Sequence, residues 1–92
     1  MTIGALASGV APPQVLPAAA RAVAELTTVE ASDLAVVSGS PRVTVRFTAE
    51  DATAHDIAQH CVARTRQLAD VSTWRVTRRV GGRWYVLPRP IG

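Results

Sequence analysis

The strictest alternation of apolar and polar residues in the chain lies at positions 42–48, where Val43, Val45 and Phe47 alternate with arginines and threonines. A period of two residues is typical of a strand with one buried face. A Ser-Gly-Ser-Pro turn separates this run from a second apolar run just upstream. The sequence therefore predicts a β-hairpin that pairs residues 33–38 with residues 42–48.

A helical period marks residues 51–69, where apolar residues recur three or four positions apart. Asp51 is a suitable N-cap, and Arg64 and Arg66 fall in the later turns, where cations interact favourably with the helix dipole. The stripe predicted to face the core consists of Ala54, Ile57, Ala58, Cys61, Thr65 and Leu68.

A second, alanine-rich helix is predicted over residues 14–26. Pro17 fits its first turn, where the missing N–H is not needed. Ala19, Val23 and Leu26 fall on one face at helical spacing, so this face is expected to pack on the core.

The C-terminal part of the chain predicts another hairpin. Residues 74–80 and 83–87 are rich in strand-forming side chains, and a Gly-Gly pair separates them. Such a two-residue glycine loop is typical of a tight type I′ or II′ turn. Pro88 and Pro90 are expected to end the second strand.

The element order α-β-β-α-β-β predicts an α+β fold, a two-layer sandwich whose antiparallel four-stranded sheet carries both helices on one face. Residues 13–92 are expected to form this single domain. Residues 1–12 are small and apolar, and we expect a flexible arm or, because the arm carries Ile3 and Leu6, a segment that packs on a partner.

The tight turn also predicts the register of the C-terminal hairpin, with Arg79 opposite Trp84. One interpretation is a cross-strand cation–π pair that only stabilises the hairpin. The other is a partner-binding surface, because tryptophan and arginine dominate interface hot spots. The candidate binding residues are Arg75, Thr77, Arg79, Arg83, Trp84 and Val86, with Arg42 and Arg46 as additional basic contacts.

The charge of the chain is unevenly distributed. Residues 1–70 contain five arginines and seven acids, whereas residues 71–92 contain five arginines and no acid, and the net charge is +3. This layout favours an anionic partner or head-to-tail self-contact at the C-terminal end.

Candidate catalytic chemistry is sparse. Asp56 and His60 have the i, i+4 spacing that allows two metal ligands on one helix face, but His55 and His60 do not converge, so a solvated polar helix face is expected instead. Cys61 is expected to be a small buried side chain. We therefore expect no enzymatic activity, metal, cofactor or small-molecule substrate. With one cysteine and neither a signal peptide nor a membrane span in the sequence, a cytoplasmic location is expected.

Two functional hypotheses follow. The first is a non-enzymatic protein–protein interaction or assembly module that self-associates through the arginine- and tryptophan-bearing face of the hairpin. The alternative is a nucleic-acid-binding protein that uses the same face, since single-strand binders combine arginine grooves with stacking aromatic residues.

Overall fold

Two helices pack against a four-stranded antiparallel sheet in the computed structural model of the protein, which describes residues 1–88. The α+β class, the two helices and the four-stranded antiparallel sheet are as the sequence predicted. Helix α1 spans Val15–Ala24 and α2 spans Asp51–Arg66. The strands are β1 (Thr2–Leu6), β2 (Val29–Val37), β3 (Ser40–Phe47), β4 (Ala69–Thr73), β5 (Thr77–Val80) and β6 (Arg83–Val86).

The strands that make up the main sheet differ from those expected. Its order is β2-β3-β1-β4, whereas β5 and β6 form a separate two-stranded sheet. The prediction that the C-terminal hairpin supplies two of the four strands is therefore wrong. The place beside β3 is taken by β1, and β4 pairs with the other side of β1.

The N-terminal residues are not a flexible arm, because Thr2–Leu6 form a central strand of the sheet. Ile3 is buried in the core, which gives this strand an apolar anchor. Gly4 allows this strand to lie close to β4, since a Cβ built on Gly4 would lie 3.1 Å from the Cβ of Asp70, which is tighter than an ordinary contact.

The first hairpin forms as predicted, and its first strand begins four residues earlier than expected, at Val29. Strands β2 and β3 pair antiparallel, and Ser38 and Gly39 in the turn both have positive φ, at 52° and 80°. Positive φ at both central residues defines a type I′ turn. In β3, Val43 is buried, and Val45 and Phe47 are partly buried, so the alternation correctly predicted the face directed to the core.

Both helices are shorter than the ranges predicted from their apolar periods, which were 14–26 and 51–69. Helix α1 ends at Ala24, so Leu26 lies beyond it and is 53% exposed rather than part of the buried stripe. The N-cap of α2 is Glu50 rather than Asp51. Helix α2 ends at Arg66 because the chain turns into β4 three residues later.

One apolar core lies between the helices and the sheet. It joins β1, β3 and β4 with both helices, and most of the predicted stripe of α2 contributes to it. Its buried members include Ile3, Val15, Ala19, Val23, Val43, Ile57, Cys61, Val62, Ala69 and Val71.

Candidate interaction surface and groove

The C-terminal hairpin has the predicted register. Arg79 pairs with Trp84, and both turn glycines have positive φ, at 56° for Gly81 and 85° for Gly82, as a type I′ turn requires. Leu87 N–H donates to the carbonyl of Val76 at 2.8 Å and extends the ladder by one pair. Pro88 follows this pair, and Pro90 lies outside the described residues.

All eight residues of β5 and β6 are exposed. The large apolar ones among them are Val80, Trp84, Tyr85 and Val86, each between 47% and 55% exposed. The connection to the body of the domain is at the base of the hairpin, where Val76 is buried. About half of the surface of these apolar and aromatic side chains is therefore not covered by the described part of the chain.

Two side-chain contacts fix the hairpin to the domain. Arg78 makes an ion pair with Asp51 at the start of α2, with Nη1 and Oδ2 2.7 Å apart. The guanidinium carbon of Arg46, on β3, lies 5.1 Å from the centroid of the Trp84 ring. The arginine over the indole is thus Arg46, one of the two additional basic residues predicted, and not the cross-strand Arg79.

The remaining candidate residues divide between the two faces of the hairpin. Because directly opposed residues of an antiparallel pair share a face, Thr77 and Val86 lie on the Trp84 side. Arg83 pairs with Val80 and lies on the opposite side. Arg75 lies between β4 and β5 and is exposed. A binding role for these residues stays a prediction.

A groove of about 970 Å³ lies between β3, α2 and the hairpin. It reaches the core, and its apolar lining includes Val23, Ala54, Ala58, Cys61, Val62 and Trp74. Its basic lining consists of Arg42, Arg46, Arg75, Arg78 and Arg79. Sequence reasoning did not predict this groove, because the alternation in β3 does not show which strand stands beside it.

The groove is positively charged. Its only acids among the described lining residues are Glu30 and Asp51, and Asp51 is already paired with Arg78. Burial lowers the pKa of the Met1 amine, and the nearby charges of Arg42 and Arg75 lower it further. The arginines that disfavour the positive charge of the Met1 amine would favour an anionic group bound near it.

One wall of the groove is an unpaired strand edge. Val43 exchanges two hydrogen bonds with Met1: the Val43 N–H donates to the Met1 carbonyl, and the N-terminal amine of Met1 donates to the Val43 carbonyl, both at 2.9 Å. No strand among residues 1–88 pairs with this edge of β3 beyond Val43. The edge therefore remains open along the second half of β3.

A second exposed apolar surface lies on β2, an edge strand of the main sheet. All but the first of its nine residues are exposed, including Leu34, Val36 and Val37. Long edge strands with exposed apolar side chains readily pair with another chain.

The residues considered for catalysis are structural or isolated. The Cys61 thiol is buried and donates to the Ala19 carbonyl at 3.5 Å, and burial raises its pKa, which opposes thiolate formation. His60 Nε2 lies 3.5 Å from Oε1 of Glu25, the C-cap residue of α1. His55 is buried at 5% exposure, so the expectation that it belongs to a solvated face is wrong: the helix turns it inward.

Within residues 1–88, no group of three or more histidines, cysteines or acids is placed to hold a metal ion. The helices of this part of the chain are also too short or too polar to cross a membrane. Comparisons with protein-family models, with curated proteins and with solved structures find no match to this chain.

Proposed function

We propose that the protein is a non-enzymatic protein–protein interaction or assembly module that associates with a second copy of itself through the C-terminal hairpin. The observation that carries the proposal is the exposure of every residue of β5 and β6. A two-stranded hairpin without a covering layer is only marginally stable in water. Burial of Trp84 and Tyr85 against a partner would stabilise it, and these are residue types that dominate interface energies.

The charge distribution supports self-association in a head-to-tail manner. Arg79 and Arg83 are exposed on the hairpin, and residues 71–88 contain no acid. The first seventy residues carry all seven acids, and Glu30 and Asp33 are exposed on β2. Attraction between the basic hairpin of one copy and acids of another, such as Asp33, would steer the two copies together and set their orientation.

Size-exclusion chromatography with light scattering, over about a hundredfold range of protein concentration, tests this proposal. We expect a mass above that of the monomer at high concentration. The Trp84→Ala and Arg79→Glu proteins should be monomeric at the same concentrations. Arg21→Glu changes an exposed residue of α1 as a control, and this protein should still associate. A monomer at every concentration would overturn self-association.

The β2 edge provides a competing route to the same assembly, and one variant separates the two. Val36→Lys places a charge on the edge strand, which blocks edge pairing. If Val36→Lys returns the monomer and Trp84→Ala does not, the second copy binds at β2 and the assignment to the hairpin is wrong.

A second candidate function is binding of single-stranded nucleic acid. It is favoured by the convergence of Arg42, Arg46, Arg75 and Arg79 with Trp84 around one groove. Arginine grooves with stacking aromatics bind single strands in a salt-dependent way. Fluorescence anisotropy with a labelled oligonucleotide at about 50 mM salt tests this function, and absence of binding there would exclude it.

A cytoplasmic location is part of the proposal. Its support is the single, buried cysteine, which suits a reducing compartment but does not require one. The proposal includes no cofactor and no small-molecule substrate.

A further inference from the structure

We infer that the groove between β3 and the hairpin binds an extended strand of a partner protein in which apolar and acidic residues alternate. The inference rests on the proposed function, because it requires that the protein binds other proteins. It adds a second binding surface, the open edge of β3 in the groove that Trp84 also lines, and names the chemistry of the segment that fits there.

The backbone of β3 supplies the first argument. Successive residues of a strand direct their hydrogen-bonding groups to opposite edges. Val43 directs its groups to Met1, so Val45 and Phe47 direct theirs to the same edge, where no strand of residues 1–88 stands. An added strand would continue the ladder along β3 beyond the Met1–Val43 pair, which is the recognition mode called β-augmentation.

The side chains of the groove supply the second argument. Partner residues directly opposite Val45 and Phe47 would share their face. That face is directed to the core, and the core residues Val23 and Val62 line the groove beside it. These partner positions therefore require apolar side chains.

The intervening partner residues would face the other way. They would lie beside Arg46 and on the same side of the sheet as Arg42, both of which are exposed. Charge complementarity then selects acids at these positions.

The experiment uses a short peptide, acetylated and amidated, in which valine and glutamate alternate. Two control peptides accompany it: one with the same residues in two blocks, and one with lysine in place of glutamate. Hydrogen exchange of the free protein should show fast exchange at Val45 and Phe47, and the alternating acidic peptide should slow both amides. Unchanged exchange at both residues would overturn the inference.

Substitutions in β3 test the backbone and charge contributions to peptide binding separately. Val45→Pro removes the N–H on the open edge but none from the β2–β3 ladder, and it should weaken peptide affinity about tenfold. Arg42→Glu should weaken the glutamate peptide and admit the lysine peptide, whereas Arg21→Glu should change neither. Circular dichroism checks that each variant is folded, and the exchange result on the unmodified protein stands even if Val45→Pro does not fold.

The outcomes separate this inference from the proposed function. If Trp84→Ala abolishes self-association but the peptide protects neither amide, the proposed function stands and the groove inference fails. If the amides are protected but the protein is monomeric at every concentration, the groove inference stands and self-association fails. If dodecanoate, an amphiphilic anion, occupies the groove and the peptides do not, the partner-strand inference is wrong.

Discussion

The contact between Arg46 and Trp84 fixes the orientation of the hairpin relative to β3, and its energy can be measured. The guanidinium carbon lies 5.1 Å from the ring centroid, and Trp84 is 47% exposed. A cation–π pair at a solvent-accessible site contributes about 0.5–1 kcal/mol. A double-mutant cycle of Arg46→Ala and Trp84→Ala should therefore give a coupling free energy in that range.

The single substitutions have different expected costs. Replacement of a fully buried tryptophan by alanine costs about 3–5 kcal/mol. Because about half of the Trp84 surface is exposed, Trp84→Ala should lower the free energy of unfolding by about 2 kcal/mol at most. Arg46→Ala should cost about 1 kcal/mol, through the lost pair and the lost packing of its aliphatic stem.

Urea denaturation followed by far-UV circular dichroism measures all four proteins of the cycle without relying on tryptophan fluorescence. A parallel cycle of Arg79→Ala and Trp84→Ala is the control, since Arg79 lies directly across the ladder from Trp84. The Arg46 coupling should exceed the Arg79 coupling. A coupling below about 0.3 kcal/mol for Arg46, with a larger one for Arg79, would refute the placement of the hairpin against β3.

Three further predictions concern the body of the domain. Ile3→Ala should lower the free energy of unfolding by about 2–4 kcal/mol in urea denaturation because Ile3 is a buried core residue. A change below about 0.5 kcal/mol would show that residues 1–6 are not part of the sheet. Trp74→Ala, which removes a side chain packed on the core, should destabilise more than Trp84→Ala in the same assay, and the reverse order would contradict the burial described. Burial raises the pKa of Cys61 above its ordinary value of 9.0, so the thiol of the unfolded chain ionises first as the pH rises. The free energy of unfolding should therefore fall as the pH rises above that value. In Cys61→Ala this part of the pH dependence should disappear, and an unchanged pH profile of stability would contradict the prediction.

Local sequence patterns were sufficient for the elements whose contacts are close in sequence. The two hairpins are specified by alternation and by turns that favour positive φ, as at Gly81 and Gly82. The register that places Arg79 opposite Trp84 followed from the turn alone. Helix α2 followed from its apolar period, which does not depend on the rest of the fold.

Strands β1 and β4 could not be predicted in this way. Each has five residues, and each includes residue types with weak strand preference: Gly4 and Ala5 in β1, and Ala69 and Asp70 in β4. Their pairing joins residues about seventy positions apart, as in the 2.8 Å hydrogen bond from the Thr73 hydroxyl to the Thr2 hydroxyl. The groove shares this origin, because the open edge of β3 exists only where β1 stops pairing.

The central claim is that the exposed surface of the hairpin around Trp84 binds a protein, and cross-linking from that surface tests it most directly. Trp84 is replaced by the photoreactive residue p-benzoylphenylalanine, and the same residue is placed at Arg21 as a control. On irradiation we expect cross-links from position 84 to a second copy of the chain, in a much higher yield than from position 21. Equal yields from both positions, or cross-links from position 84 to nucleic acid alone, would contradict the account.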